Sequence, residues 1–353
     1  MNRWIAALLA ISATALAQTG ATTVPETPKD PLAVLRAAAP LYDFSNSAMK
    51  PWHLKASYQL YDEKGNPASQ GTYEYWWASP SVDRSSWARA DATHTDWHTS
   101  DGKHAYLSTG TPIEFFEYKL QAALISPMPK EQDYDPNSYR LDRELKSAGG
   151  SKLSCIMVVP KMPANRQVQT VPLGLFPTYC FDSATPALRI SYSFGTISTE
   201  FNHIVRFPNG PYLAREIFMF EGKRKILTAE VNSITTINGS DPALVASPNA
   251  VTTKFGNAVP VSAGVSAGNL VKKEVPVYPE DAKAARLSGR VVLRAIIGMD
   301  GAVHDLHVVS TPWPSLAASS LWAVSHWRYK PYMLNGEPVD VDTTINVIFS
   351  VGN

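Results

Sequence analysis

Two short motifs contain residues that could act as nucleophiles. Gly264-Val265-Ser266-Ala267-Gly268 matches the pattern G-x-S-x-G, which works when a strand enters the turn and a helix leaves it, so that the serine hydroxyl is exposed. Here the motif lies in a run of small residues where neither element is predicted. Ser47-Ala48-Met49-Lys50 matches S-x-x-K, but the S-D-N and K-T-G boxes of that chemistry are missing. We expect both matches to be coincidental and predict no catalytic residue.

Four histidines lie in predicted strands and are the candidates for metal binding. His94 and His98 share one face near Trp97, whereas His304 and His307 lie on opposite faces of a C-terminal hairpin. A metal site needs three or four converging ligands, and the spacing places no Cys, Asp or Glu to complete either pair. We therefore predict exposed strand histidines and no metal. Because nucleotide loops, zincin motifs and paired carboxylates do not stand out either, we predict no cofactor and no enzyme.

The chain has two cysteines, Cys155 and Cys180. Both lie in segments that read as strands, residues 153–159 and 177–181. In an oxidising compartment, an even pair of cysteines within one domain is more typical of a disulfide than of a redox or metal site. We predict a Cys155–Cys180 disulfide, with two buried free thiols as the alternative.

The N-terminus has the pattern of an export signal. Arg3 supplies a positive charge, residues 4–17 form an apolar run, and Ala15-Leu16-Ala17 fits a cleavage site. A membrane helix needs about 20 apolar residues, and this run has about 14. No Cys near the cleavage point offers a site for a lipid, and no later stretch is apolar for long enough to span. We predict that residues 1–17 are a cleaved signal peptide and that the mature protein is periplasmic.

Composition limits the classes of partner. The chain has 353 residues, of which 44% are hydrophobic, so it can bury a sizeable core and form two domains. Its 32 Lys and Arg are balanced by 31 Asp and Glu, and the aromatic residues are not interleaved with a basic stripe. A nucleic acid is therefore not an expected partner.

Residues 30–238 predict a mostly antiparallel sheet domain. Residues 54–61 and 71–77 alternate in polarity on either side of a Lys64-Gly65-Asn66 turn, which is typical of a hairpin. Residues 111–125 predict a helix, with Thr111 as its N-cap, Pro112 in its first turn and Glu114 completing a capping box. Residues 239–270 are rich in small and polar types and predict a linker.

Residues 271–353 predict a small α+β domain. The order is helix 280–287, strands 290–297 and 303–310, helix 314–327 and a last strand, in which Val339 to Phe349 alternate cleanly. This order predicts a three-stranded antiparallel sheet with both helices on its apolar face. The whole chain is thus predicted to be an α+β protein.

Motifs in the last quarter of the chain resemble the TonB C-terminal family. In order, these are Pro276-Val277-Tyr278-Pro279, Ala282 to Ala285, Gly289-Arg290-Val291, Asp300-Gly301, Val308-Val309-Ser310, Trp327-Arg328-Tyr329-Lys330-Pro331 and Asn335-Gly336-Glu337-Pro338-Val339. The family takes part in TonB-dependent transport, and its module binds an extended segment of an outer-membrane transporter as an added strand. The resemblance implies the same role for the edge formed by Ile345, Asn346, Val347, Ile348 and Phe349. A TonB transducer also has an uncleaved membrane helix and a long Pro-rich stalk, so force generation is not implied here.

The region 30–238 resembles lipoprotein carriers of the LolA/LolB type, which are incomplete barrels with helices at the mouth. The features concerned are the long meander, Trp76-Trp77, the helix at 111–125 and the strand at 212–220. Such a barrel offers a concave apolar pocket for acyl chains. The alternative is that the tryptophans simply fill a sandwich core: Trp52, Trp76, Trp77, Trp87 and Trp97.

These patterns lead to one main hypothesis and two alternatives. The main hypothesis is an exported adaptor that binds an extended segment of an envelope or outer-membrane protein. The second is a periplasmic carrier of a lipid or lipoprotein whose TonB-like domain serves as a dimerisation or localisation handle, with a homodimer left open. The third, supported only by compartment, is a scaffold on peptidoglycan or the envelope.

Overall fold

The computed structural model of the protein describes residues 30–45, 49–161, 171–194, 197–206, 210–254 and 257–351. The predicted signal peptide and Ser47 of the S-x-x-K motif lie outside these ranges. No helix within the ranges is both long enough and apolar enough to cross a membrane.

Thirteen strands form one large sheet in which every neighbouring pair is antiparallel. Its order is β13-β5-β4-β3-β2-β1-β12-β11-β10-β9-β8-β7-β6. The strands are β1 (Trp52–Tyr61), β2 (Pro67–Ser79), β3 (Val82–Arg89), β4 (Ala92–His98), β5 (His104–Gly110), β6 (Tyr139–Ala148), β7 (Ser151–Pro160), β8 (Thr178–Asp182), β9 (Leu188–Phe194), β10 (Ile197–Arg206), β11 (Tyr212–Glu221), β12 (Arg224–Thr236) and β13 (Val251–Thr253).

Local chemistry explains the predicted β1–β2 hairpin. The carboxylate of Asp62 accepts hydrogen bonds from the backbone N–H groups of Lys64 and Asn66 at 2.9 and 2.8 Å. Gly65 has a φ of +81°, a conformation that costs glycine little because it has no Cβ. The turn thus fixes the register in which alternate residues of β1 enter the core.

β6 was not predicted as a strand. It lies at one end of the large sheet and pairs only with β7 among the described strands. None of its residues is fully buried, and Leu145 is largely exposed. A polar edge strand lacks the hydrophobic alternation that reveals an inner strand, because only one of its faces is covered and only in part.

Two helices pack on the large sheet, α1 (Pro31–Ala38) and α2 (Phe115–Ile125). The prediction that α2 begins at Thr111 is wrong. Glu114 is the N-cap and forms a capping box with Glu117, whose carboxylate accepts a hydrogen bond from the N–H of Glu114 at 2.8 Å. Thr111 instead donates its hydroxyl to Asp91 at 2.6 Å. The pair of glutamates outcompetes the earlier Thr-Pro signal because Glu117 satisfies the N-cap amide and Glu114 the amide of the third helical residue.

The five tryptophans singled out in the sequence are all buried. Trp52, Trp77 and Trp87 belong to the main hydrophobic core. Trp97 donates its indole N–H to the carbonyl of Ala243 at 3.1 Å, beneath the short 3₁₀ turn Pro242–Leu244. Three of the five tryptophans therefore fill core space, whereas the Arg84 guanidinium lies over the rings of Trp76 and Trp97.

A second, small sheet has the order β14-β21-β16-β17. Its strands are β14 (Val259–Val261), β16 (Gly289–Ile297), β17 (Val303–Ser310) and β21 (Val341–Phe349), and its helices are α4 (Glu280–Ala284) and α5 (Pro314–Ser325). The three long strands are antiparallel, as predicted. β14 was not predicted, and it is parallel to β21.

The remaining elements are short. Helix α3 covers Ala263–Gly268, and β15 (Leu270–Lys272) pairs with β18 (Arg328–Tyr329). β19 (Tyr332–Leu334) and β20 (Glu337–Val339) form a hairpin. The turn of this hairpin, Asn335-Gly336, has positive φ angles of 53° and 85°, as tight hairpins require.

The segment 239–270, predicted to be a linker, contributes a short strand to each of the two sheets. β13 adds to β5 of the large sheet, and β14 adds to β21 of the small sheet. The three residues in each strand are too few to give a periodic signal, although all three in β13 and two of the three in β14 are β-branched. Edge pairing of these triplets satisfies backbone groups that a free coil would expose to water.

The predicted disulfide between Cys155 and Cys180 is confirmed. The two residues face each other directly on β7 and β8, and both are fully buried. The bond therefore links two neighbouring strands near the β6 end of the large sheet.

Replacing both cysteines by alanine is expected to lower the free energy of unfolding by about 3 kcal/mol, because the crosslink restricts the unfolded chain over a separation of 25 residues. Urea denaturation of Cys155→Ala/Cys180→Ala and of wild type, each with and without reductant, measures the effect. Reductant should bring wild type to the level of the variant. If reductant left the free energy of unfolding of wild type unchanged, the prediction would be contradicted.

Candidate docking edge and domain interface

The outer edge of β21 is the part of the small sheet that is open to another strand. On its inner side β21 pairs with β16 along its whole length, from Val341 to Phe349. On its outer side β14 covers only Val341 to Thr343. Within the residues that the structure describes, no strand pairs with the outer side from Thr344 onward.

Hydrogen bonding shows which backbone groups face this outer edge. The N–H of Val259 donates to the carbonyl of Asp340 at 2.7 Å. Backbone groups alternate between the two edges along a strand, so the even-numbered residues of β21 point toward β14. The N–H and C=O groups of Thr344, Asn346 and Ile348 thus face the uncovered stretch.

The side chains of the predicted docking residues divide between the two faces of β21. Ile345, Val347 and Phe349 are buried in the core, whereas Asn346 is exposed and Ile348 has 75% of its surface exposed. The odd-numbered side chains therefore anchor the strand. The even-numbered ones would lie beside an added strand on the solvent face.

The small sheet contacts the large sheet through β17, the strand at its opposite end. The hydroxyl of Tyr118 on α2 donates to Asp300 Oδ2 at 2.7 Å, and its ring stacks on His304 with centroids 3.8 Å apart. Lys119 forms an ion pair with Asp305. β17 thus packs against α2, whereas no described strand pairs with the outer side of β21 from Thr344 onward.

Gly298 leaves room for the His304 ring. A Cβ at position 298 would lie 2.2 Å from His304 Cε1, so any other residue would displace the imidazole. His304 Nε2 lies 3.0 Å from Asp300 Oδ1, close enough to donate a hydrogen bond. The turn before β17 thus positions the imidazole against α2.

More histidines and carboxylates continue this interface cluster into the large sheet. Asp96 on β4 contacts His94 Nε2 at 2.7 Å and His104 Nε2 at 3.4 Å. His104 Nδ1 in turn lies 3.5 Å from a carboxylate oxygen of Asp340, just before β21. These contacts therefore connect β4 and β5 of the large sheet to the residue that precedes β21.

The pKa values in the cluster favour charged pairs. Burial by itself would lower the pKa of His304, but Asp300, with smaller contributions from Asp340 and Asp96, raises it to about 9. Burial would raise the pKa of Asp300, but His304 holds it well below its usual range. Burial would likewise lower the pKa of His94, yet its contact with Asp96 raises it. With a pKa of about 9, His304 forms an ion pair with Asp300 at neutral pH.

The prediction of exposed histidines is wrong for His94, which is buried, and for His304, whose side chain is mostly covered. The two residues belong to one cluster although 210 positions separate them along the chain. Among the described residues, no group of three or more His, Cys, Asp or Glu has an arrangement that could hold a metal ion. The cluster is an electrostatic contact between the sheets.

The G-x-S-x-G motif lies within α3, although no element was predicted there. Ser266 is buried inside the helix rather than at a strand-to-helix turn. Its hydroxyl donates to the carbonyl of Ala263 at 3.1 Å and accepts from the hydroxyl of Thr343 at 3.2 Å. These bonds attach α3 to β21.

A protein-family model matches the end of the chain. The model describes the Gram-negative bacterial TonB protein C-terminal, and residues 274–351 match it. These residues form a TonB C-terminal domain. It contains β16, β17, β21, α4 and α5, and we call it the TonB-like domain.

No curated protein matches the chain in sequence. Among solved structures, the TonB C-terminal domain of Pseudomonas aeruginosa is 28% identical, with 24% of this chain and 86% of that chain covered and a TM-score of 0.22. A LolA superfamily protein from Nitrosomonas europaea is 7% identical, with 61% and 97% covered and a TM-score of 0.36. A putative outer membrane lipoprotein-sorting protein domain from Vibrio parahaemolyticus is 7% identical, with 60% and 93% covered and a TM-score of 0.35. The TM-scores are low, so the family match is what assigns the TonB-like domain.

The interface predicts a loss of stability at alkaline pH. The pKa of His304 is raised from 6.5 to about 9, so its stabilising charge is fully present below pH 6.5 and is lost as pH rises through 9. The loss should be on the order of 2 to 3 kcal/mol. Urea denaturation of wild type and His304→Gln across this range measures it.

The variant should show a flatter dependence on pH than wild type. His203→Asn is a suitable control because His203 is exposed and its positive φ of 47° suits asparagine. It should keep the wild-type slope. Equal slopes in wild type and His304→Gln would disprove the assignment.

Proposed function

We propose that the protein is an exported periplasmic binding protein, not an enzyme, whose TonB-like domain docks an extended segment of an envelope protein on the outer edge of β21. The observation that carries the proposal is the stretch with outward backbone groups at Thr344, Asn346 and Ile348. Unpaired amides and carbonyls on a sheet edge are a template for an added strand. The match of residues 274–351 to the TonB C-terminal family supports a binding role for this domain.

Side chains beside the edge would set selectivity. Register pairs Ile348 with Arg290 and Asn346 with Val292 on the solvent face. An added strand would therefore meet an apolar side chain at Ile348, with a cation behind it at Arg290. The main-chain bonds supply affinity for any extended segment, and such contacts discriminate among segments.

A specific observation also supports a second function, that of a carrier. An apolar cleft of about 650 Å³ lies between the large sheet and the TonB-like domain, lined by residues that include Leu173, Leu175, Val277, Ala318 and Trp322. Its size and lining suit an acyl chain. The cleft thus supports a lipid ligand at the domain boundary rather than inside the packed core of the large sheet.

Isothermal titration with short synthetic peptides from the N-terminal plug segments of outer-membrane transporters tests docking. Asn346→Pro removes an outward N–H while sparing the bonds to β16, and should weaken binding about tenfold or more. Asn346→Ala is the matched control because it keeps the amide and should bind like wild type. Circular dichroism establishes that both variants are folded.

Two outcomes would end the docking proposal. One is that no peptide of the panel binds wild type. The other is that Asn346→Pro binds as tightly as Asn346→Ala, which would mean that the backbone at this edge takes no part.

Native mass spectrometry of the full-length protein, gently extracted from its own envelope, tests the carrier function. Acyl species should co-purify with wild type and be lost from Ala318→Trp, which fills the cleft. Wild type without acyl species would contradict this second function and leave strand docking unaffected.

A further inference from the structure

β14 occupies part of the edge to which the docking function is assigned. It pairs Val259, Pro260 and Val261 with Val341, Asp342 and Thr343 in parallel. The next outward groups, at Thr344, Asn346 and Ile348, continue the same line. The chain's own segment and an incoming segment would therefore lie end to end on one edge, or compete for it.

The composition of β14 suits a strand that caps an edge without extending the sheet. Val259 and Val261 are half-buried against the core, and Pro260 is exposed. Because Val259 donates toward β21, the alternation directs Pro260 away from that strand. Proline has no N–H to offer, so β14 makes its bonds to β21 and presents a blocked edge beyond.

β14 is held at both ends but makes few bonds itself. On one side β13 is paired with β5 of the large sheet. On the other side α3 is attached through the Ser266–Thr343 hydroxyl bond, and Lys330 donates its N–H to the carbonyl of Asn269 at 2.8 Å. β14 therefore pairs with β21 through only three residues, while the chain on either side of it is attached elsewhere. Such a short contact can open without unfolding either sheet.

From these observations we infer that residues 257–262 are an internal pseudo-ligand of the docking edge, parallel to β21, which an incoming segment displaces from Val341–Thr343. Displacement extends the accessible edge from the stretch at Thr344–Ile348 to the whole outer side of β21. Tethering gives the internal segment a high effective concentration, so it weakens binding of every competitor. This inference rests on the proposed docking function and adds its regulation.

The test uses the full chain and a synthetic peptide of its own residues 257–263, labelled for fluorescence anisotropy. Val259→Asp/Val261→Asp should release β14, because it places two charges against the core. The peptide should bind this variant and show at least about tenfold weaker binding to wild type, where the tethered copy competes.

Val271→Asp/Val275→Asp is the matched control, since it adds the same charge at two exposed positions of the neighbouring segment. It should behave like wild type. If the aspartates prevent folding, a second release variant with Val259–Val261 replaced by Gly-Ser-Gly takes their place. Circular dichroism checks that each variant is folded. A peptide that binds neither release variant, or binds them no better than wild type, overturns the inference.

The same variants separate this inference from the docking proposal. If transporter peptides bind wild type and both release variants equally, docking stands and displacement fails. If the 257–263 peptide binds only released variants and no transporter peptide binds any of them, the pseudo-ligand stands and the proposed partner class fails.

Discussion

Each backbone amide and carbonyl of β21 needs a hydrogen-bond partner, and the strand offers these groups on two edges. β16 satisfies the inner edge along its full length, and β14 satisfies the beginning of the outer edge. The groups of Thr344, Asn346 and Ile348 are left to water or to another chain. This division is the basis of the proposed docking site.

Charged and aromatic side chains form the interface between the two sheets. β17 packs against α2, where Tyr118, Asp300 and His304 form a mostly buried charged contact. Buried ion pairs of this kind stabilise a docked arrangement only while both partners stay charged. The charges therefore help to hold β17 against α2.

Sequence patterns predicted the elements whose signals are local. The alternation from Val341 to Phe349 matches the observed burial of β21, because one face of this strand is buried and the other is solvated. The cysteine pair was predicted correctly from composition and compartment. β6 was missed because a polar edge strand has no strong period, and α2 begins later than predicted because Glu114 and Glu117 cap it. β14 was missed because three residues that include a proline carry no strand signal. The meeting of His94 with His304 could not be predicted, since it depends on how two separate sheets dock.

Hydrogen exchange of individual amides in the free full-length protein, followed by NMR, tests the claim about the outer edge most directly. The account predicts alternation along β21. The amides of Ile345 and Val347 should be protected by bonds to β16 and that of Asp342 by β14, whereas those of Thr344, Asn346 and Ile348 should exchange much faster. Uniform protection from Asp342 to Ile348 would show that the outer edge is already covered, and would contradict the account.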